Sequence, residues 1–241
     1  MSNTQIDYDT IAEIYDLYVT ADYDIPFFLQ ETANVEGPVL ELTAGTGRLS
    51  LPLVQAGVQV TCVDSSQGML DVLSRKLRER GLSAEVRCAD VCRLEFHTSF
   101  RLAILPFQSF MEIVGEERQR QALSAVFACL APGGRFICTF HNPAVRRTQA
   151  DGVLRIVGRF PTQDGTLVVS GFEQGGHPIV ERLQFSFTLP CGVSCLASAL
   201  LLLCVLCDEP ACCSNHIVSG NFCPILGRNG GRLLSIGKTT F

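Results

Sequence analysis

The sequence predicts an α/β protein with a mostly parallel sheet covered by helices on both faces, followed by an antiparallel β-meander. Between residues 38 and 140, short apolar runs alternate with longer segments of helical periodicity. Such alternation with short connections is typical of a parallel sheet. After Pro143 the apolar residues recur at every second position, which indicates antiparallel strands. Beyond about residue 184 the composition changes, and we expect an atypical C-terminal part.

The amino-terminal segment is predicted to form two helices. Tyr8, Tyr15 and Tyr18 recur at helical spacing, which indicates an amphipathic first helix. Asp24 precedes Pro26, and an acidic residue before an early proline is a typical start for a second helix.

The remaining elements follow from the same periodicities. The predicted core strands lie at 38–42, 58–63, 84–88, 102–105 and 134–140. The predicted core helices lie at 46–56, 66–80 and 116–130. The predicted meander strands lie at 153–160, 166–172 and 179–187.

A glycine turn follows the first predicted strand. Glu41 stands near the end of the strand, and Gly45 and Gly47 precede the helical segment. Glycines permit positive φ and leave the backbone bare, so a ligand can lie directly against such a turn. The N–H groups at the start of the next helix suit a carboxylate or another anion. A glycine turn alone does not identify the ligand.

Acidic residues mark the ends of the next two strands. Asp64 ends the second strand, nineteen residues after Gly45, and Asp90 follows the third. An acid at the tip of the second strand commonly accepts hydrogen bonds from ribose hydroxyls. Acids at strand ends also cap helices, but Glu41, Asp64 and Asp90 on three consecutive strands favour a site for a nucleoside with a polar tail.

The chain resembles the class I S-adenosylmethionine-dependent methyltransferases, which have a Rossmann-like fold, and within them the small-molecule enzymes with an N-terminal Tyr-Asp helix. The motifs that carry the resemblance are TIAEIYDLY, VLELTAGTGRLSLPL, VTCVDSSQGML, EVRCADVCRLEF, LAILPFQSF and LAPGGRFICTF. They cover roughly the first three quarters of the chain. The turn departs from the family's commonest form, since Thr43 and Ala44 stand where Gly and Cys are frequent.

The resemblance implies roles for individual residues. Glu41 and the turn would border the methionine end of S-adenosylmethionine, and Asp64 would hold the ribose. Met69 would lie against the adenine. Asp90 and the Val91 amide would hydrogen-bond to the edge of the adenine that carries its amino group, and Tyr15 would close over the cofactor. The complete set of implied cofactor-binding residues is Tyr15, Glu41, Thr43, Ala44, Gly45, Gly47, Asp64, Ser65, Met69, Asp90 and Val91.

The acceptor side is less clearly marked. Phe107 and Gln108 follow the fourth strand as a possible wall and polar anchor, although the family often has Asn at the latter position. His141 follows the fifth strand and is the best candidate for a general base. A histidine that only hydrogen-bonds a loop is the alternative. A base is optional for an amine acceptor and more useful for a hydroxyl.

Two other function classes remain open. The spacing Gly45-x-Gly47-x-x-Ser50 approaches a dinucleotide fingerprint, so an NAD(P)-dependent oxidoreductase is the principal alternative. Glu41 and Asp90 favour the methyltransferase, because a dinucleotide enzyme does not need them. A catalytically inactive protein that keeps the cofactor cleft is the other alternative.

Composition limits the partners. The net charge of −5 and the isoelectric point near 5.4 provide no basic surface for nucleic acid. No basic segment precedes an apolar run at the amino terminus, so no signal peptide is predicted. We expect a cytoplasmic enzyme that acts on a small-molecule methyl acceptor and has no metal and no membrane association.

The C-terminal composition does not match the family. The first 183 residues contain 38 charged residues and five cysteines, whereas the last 58 residues contain five charged residues and seven cysteines. Residues 185–207 carry no charge and are long enough to span a bilayer, but Pro190 and Gly192 interrupt the run. The pairs Cys204-x-x-Cys207 and Cys213-x-x-His216 are separated by a loop that is short for zinc. We predict an out-of-frame or otherwise altered C-terminal sequence and an unpaired edge at the fifth strand.

These predictions divide the chain into four parts. They are an N-terminal helical cap at 1–36, an S-adenosylmethionine-binding core at 37–143, a meander over the substrate pocket at 144–190 and an atypical Cys-rich apolar tail at 191–241.

Overall fold

The computed structural model describes residues 7–142, 145, 148, 150–163, 165–174, 179–188, 194–203, 225–226 and 231–237. Its helices are α1 (Tyr8–Tyr18), α2 (Ile25–Thr32), α3 (Ser50–Gln55), α4 (Gln67–Glu79) and α5 (Glu116–Cys129). Its first five strands are β1 (Val39–Leu42), β2 (Val60–Asp64), β3 (Glu85–Cys88), β4 (Phe100–Leu105) and β5 (Leu130–His141). Its later strands are β6 (Arg155–Thr162), β7 (Gly165–Gln174), β8 (Ile179–Thr188), β9 (Ser194–Leu203), β10 (Ile225–Leu226) and β11 (Gly231–Gly237).

The main sheet has the strand order β10-β11-β5-β4-β1-β2-β3. Strands β1 to β5 run parallel, and β11 runs antiparallel to β5. Because β1 lies between β2 and β4, the strand order reverses beside it, and a crevice opens there at the carboxyl ends of the strands. The predicted fold class is confirmed.

Two buried apolar layers cover this sheet. One contains Leu40, Leu42 and Phe136 together with residues of α5, and the other contains Phe28 of α2 with residues of α3 and α4. Every residue of β1 is buried, as expected for a central parallel strand with helices on both faces. The carboxyl ends of the strands are therefore held in a fixed position.

Three local predictions differ from the structure. The helix after the glycine turn begins at Ser50 rather than at residue 46, because the turn continues through the intervening residues. Asp24 makes no capping hydrogen bond; its carboxylate pairs with Arg48 instead. The predicted turn before β5 is a bulge within that strand, since Leu130 pairs with Phe100 and Arg135 with Leu102.

The prediction of an unpaired edge at the fifth strand is wrong. Strand β11 pairs with β5 over seven residues, from Gly231 opposite His141 to Gly237 opposite Arg135, and β10 pairs with β11. The sequence argument was based on charge and composition. Pairing depends on backbone hydrogen bonds along a short extended run, and few charges do not prevent it.

The meander is longer than predicted. Strands β6 to β9 form a four-stranded antiparallel sheet, and β9 lies within the segment that the sequence assigned to the tail. The zinc-like Cys and His pairs lie outside the described residues. The four-part division and the altered tail sequence stay predictions. None of the helices among the described residues is long and apolar enough to cross a bilayer.

Candidate active site

A cleft of about 910 Å³ lies between α1 and the carboxyl ends of the parallel strands. Its floor comes from residues at or just after the carboxyl ends of β1 to β5, and its roof comes from α1 and the loop after it. Val157 of β6 and Val169 of β7 also line it, so the meander closes one side. The cleft has the size of a small-molecule site.

Most of the predicted site residues line this cleft. They are Tyr15, Thr43, Gly45, Asp64, Ser65, Met69, Asp90, Val91, Phe107, Gln108 and His141. Glu41, Ala44 and Gly47 do not line it. Glu41 and Ala44 are buried below the turn, and Gly47 faces the α4 side chain of Leu73. These three residues therefore lie beneath or beside the glycine turn and do not face the cleft.

The glycine turn leaves open space above Gly45. Its φ is +55°, and a Cβ added there would meet no atom within 4 Å. At Gly47, where φ is +89°, an added Cβ would come within 2.4 Å of Leu73 Cδ1. Gly45 thus allows a ligand in the cleft to approach the backbone closely, and Gly47 allows the turn to pack on α4. The open space at Gly45 fits a ligand that lies against the backbone.

Asp64 joins this turn to the end of β2. Its Oδ2 accepts a hydrogen bond from the Gly45 N–H at 2.8 Å, and its Oδ1 accepts one from the Ser66 N–H at 2.9 Å. Burial raises the pKa of Asp64 above its ordinary value, although these N–H groups oppose the shift. Each oxygen retains acceptor capacity for a ribose hydroxyl.

Asp90 lies at the other end of the predicted nucleoside site. Its Oδ1 accepts from the Cys92 N–H at 2.9 Å, and its Oδ2 accepts from Arg118 at 3.0 Å. Burial alone would raise the pKa of Asp90, but the Cys92 N–H and the Arg118 guanidinium hold it below its ordinary value. Asp90 is therefore a carboxylate acceptor beside the Val91 amide, and Arg118 orients it.

Helix α1 is fastened over the cleft by hydrogen bonds that sequence reasoning missed. The Oδ1 of Asp9 accepts from Ser66 Oγ at 2.6 Å and from the Gly68 N–H at 2.7 Å. Farther along α1, Asp16 accepts from Thr46 Oγ1 at 2.6 Å. No sequence motif marks these long-range partners. They place the tyrosine face of α1 toward the strand ends.

Arg48 connects α2 to the acceptor side. Its Nη2 donates to Asp24 Oδ2 at 2.8 Å, and its guanidinium lies 4.4 Å from the centre of the Phe107 ring. Phe107 has a φ of 56° and Gln108 a φ of 61°. The Gln108 N–H donates to Thr139 Oγ1 at 3.3 Å. These contacts hold the turn after β4 in an unusual backbone conformation.

Thr43 is strained at the cleft. Its φ of 54° lies in the left-handed region, which β-branched residues rarely adopt. Thr43→Gly is expected to raise the free energy of unfolding by about 1 kcal/mol, because glycine removes this strain. The melting temperature should rise by roughly 2–4 °C. Thr20→Gly, at a residue without positive φ, is the control and should not raise it. An unchanged or lower melting temperature for Thr43→Gly would contradict the strain.

Glu41 is a buried carboxyl with an unsatisfied atom. It is 1% exposed, and neither its Oε2 nor Ser50 Oγ has a hydrogen-bond partner among the described residues. Burial raises the pKa of Glu41 to about 8, while the nearby Ser50 hydroxyl opposes the shift. The folded state thus favours the protonated carboxyl at a pH where an exposed Glu has ionised.

This raised pKa predicts a dependence of stability on pH. The stabilisation from protonated Glu41 is full below its ordinary pKa of 4.5 and is lost as the pH rises through about 8. Glu41→Gln should therefore flatten the decline in unfolding free energy across this window, as measured by denaturant titration at several pH values. Glu95→Gln, at an exposed residue, is the control and should leave the decline intact. If Glu41→Gln leaves it equally steep, Glu41 does not cause it.

The structure is an open α/β fold with a cleft at the carboxyl ends of its parallel strands, and comparisons with known proteins indicate which proteins it resembles. Residues 39–134 match the family model of a methyltransferase domain. The cypemycin N-terminal methyltransferase of a Streptomyces species is 28% identical over 148 residues, which cover 60% of each chain. The chain thus spans about three fifths of that relative's length.

Solved structures share the fold over nearly the whole chain. The CcbJ methyltransferase from Streptomyces caelestis superposes with a TM-score of 0.75 at 20% identity, covering 99% of this chain and 100% of that one. The sugar N-methyltransferase KedS8 from Streptoalloteichus sp ATCC 53650 gives 0.72 at 16% identity, covering 100% and 95%. These comparisons support the resemblance to the S-adenosylmethionine-dependent methyltransferases: a methyltransferase-domain model matches residues 39–134, and the solved methyltransferases share the fold.

Proposed function

We propose that this protein transfers the methyl group of S-adenosylmethionine to a nitrogen atom of a small molecule. The observation that carries the proposal is the open backbone at Gly45 beside the Asp64 carboxylate, at the reversal point of the sheet. The cofactor supplies a methyl group on a sulfonium, which is already an activated leaving group. The protein then has to hold the acceptor in line and exclude water.

The residues around the cleft divide these tasks. Asp64 and Asp90 provide acceptors for the nucleoside, and the turn at Gly45 provides room for the methionine end. Tyr15 covers the cleft from α1, while Phe107 and Gln108 border the side where the acceptor would bind. A nitrogen acceptor is favoured because KedS8 is named a sugar N-methyltransferase and the cypemycin enzyme an N-terminal methyltransferase.

The first experiment separates the function classes. S-adenosylhomocysteine and a nicotinamide dinucleotide are titrated in parallel by calorimetry. Saturable binding of S-adenosylhomocysteine alone supports the methyltransferase, and preference for the dinucleotide would overturn it. A panel of amine and hydroxyl acceptors with labelled methyl donor then distinguishes an active enzyme from an inactive cofactor-binding protein.

His141 is the proposed general base. It lines the cleft, and its backbone N–H lies 3.3 Å from Met111 Sδ. His141→Asn should remove the low-pH decline in the methyl-transfer rate of an active acceptor, because the titrating imidazole is lost. S-adenosylhomocysteine affinity should stay unchanged, which is the control for intact folding. An unaltered pH–rate profile would show that His141 has no role as a base.

A further inference from the structure

The roof of the cleft has an unusual concentration of aromatic side chains. The chain contains four tyrosines and no tryptophan, and all four tyrosines line the cleft. Tyr8 and Tyr15 meet edge to face with ring centres 6.2 Å apart, and Tyr15 and Tyr18 do so at 5.5 Å. This tyrosine wall, formed by Tyr8, Tyr15 and Tyr18, presents ring surfaces along one side of the cleft.

A carboxylate lies against the same wall. Glu112 follows β4, lines the cleft, and accepts a hydrogen bond from the Tyr8 hydroxyl to Oε2 at 2.9 Å. Burial raises the pKa of both Tyr8 and Tyr15, and the negative charge of Glu112 is the next largest cause for each. The field of Glu112 therefore reaches two rings of the tyrosine wall.

The charges of the cleft are suited to a cation. Three carboxylates line it, those of Asp64, Asp90 and Glu112. Among the described residues, Arg118 is the one Lys or Arg that lines the cleft, and it pairs with Asp90 at 3.0 Å. Ring faces attract ammonium groups through their quadrupole, and this attraction strengthens when water is excluded. A carboxylate beside such rings adds charge-assisted hydrogen bonds to an N–H.

We propose that Glu112 and the tyrosine wall form the acceptor subsite and bind the acceptor as an alkylammonium ion. The inference rests on the proposed function and specifies its acceptor class: an aliphatic amine, with Glu112 as the residue that selects it over a neutral hydroxyl compound. It concerns how the acceptor is held. Before the nitrogen accepts the methyl group, the bound ammonium loses one proton to the proposed base His141 or to solvent, which frees the lone pair for the displacement.

The absence of tryptophan makes a direct test possible, because tyrosine fluorescence reports on the cleft alone. Protein saturated with S-adenosylhomocysteine is titrated with choline and with 3,3-dimethylbutan-1-ol, its neutral carbon isostere. Sodium chloride at matched ionic strength is the control for screening. We expect choline to give half-saturation at a roughly tenfold lower concentration than the isostere. Equal responses to the two compounds would overturn the proposal.

Two variants separate recognition from a structural role. Glu112→Gln should make the choline and isostere responses equal, because it removes the charge and keeps the size of the side chain. Tyr8→Phe keeps the ring and deletes only the hydroxyl, so it should preserve a preference for choline. If Glu112→Gln preserves the preference, or if Tyr8→Phe abolishes it equally, Glu112 acts by fixing α1 and the subsite does not exist.

The two proposals fail in different ways. If S-adenosylhomocysteine does not bind, the methyltransferase proposal fails, and the same choline titration of the free protein still measures the subsite. If S-adenosylhomocysteine binds but choline and its isostere do not differ, only the ammonium subsite is refuted.

Discussion

Asp64→Ala is expected to weaken the binding of S-adenosylhomocysteine by roughly 1.5–3 kcal/mol, because a charged acceptor for the ribose hydroxyls is lost. The structure adds a second cost. Asp64 also accepts from the N–H groups of Gly45 and Ser66, so alanine leaves two donors without their carboxylate. Calorimetry at constant pH measures the effect, which corresponds to a loss of affinity of roughly 10- to 150-fold.

Two further variants make the Asp64 result interpretable. Asp64→Asn retains one carbonyl acceptor without the charge, so its loss of affinity should lie between those of the wild type and the alanine variant. Asp71→Ala removes an exposed carboxylate of α4 that does not line the cleft, and its affinity should match that of the wild type. Unchanged binding by Asp64→Ala would rule out the ribose role.

The core of the fold could be predicted because its determinants are local. The apolar run at β1 and the segment that forms α4 each have a single periodicity, and both elements form close to their predicted bounds. The positions of Asp64 and Asp90 at strand tips follow directly from that alternation. In a parallel sheet all strand tips meet at one edge, so the sequence order alone brings these acids together.

The supporting contacts of the site could not be predicted in the same way. Asp9 reaches Gly68, and Tyr8 reaches Glu112, across 59 and 104 residues. Such pairs depend on how α1 lies on the completed sheet, and no spacing rule encodes this. Asp24 illustrates the same limit. Its carboxylate pairs with the guanidinium of Arg48, 24 residues later in the chain, instead of capping α2.

The closing strand was missed for a different reason. The sequence argument treated the sparse charges after residue 184 as evidence against any sheet contribution, whereas β11 needs only seven extended residues to pair with β5. Composition indicates whether a segment suits an exposed surface. It does not indicate whether a short segment pairs as a strand with another segment about a hundred residues earlier along the chain.

Gly45→Val is expected to abolish binding of S-adenosylhomocysteine while the protein remains folded. The structure gives the reason for both halves of this result. Since an added Cβ at Gly45 meets no protein atom within 4 Å, the side chain would project into the cleft without a clash. It would occupy the space that the ligand needs. The positive φ adds a strain of about 1–2 kcal/mol, so a lower melting temperature is expected with near-native circular dichroism.

Gly57→Val is the matched control for this strain. Gly57 also has a positive φ and open space around a Cβ, but it does not line the cleft. Its valine variant should lose similar stability and keep full affinity. Gly47→Ala should instead destabilise the fold, because its Cβ would lie 2.4 Å from Leu73 Cδ1 and force α4 and the turn apart. Its free energy of unfolding should fall more than that of Gly45→Val, and binding would be lost because the protein unfolds. If Gly45→Val retains tight binding in calorimetry while Gly57→Val behaves as expected, the ligand does not lie over this turn, and the cofactor site has to be sought elsewhere in the cleft.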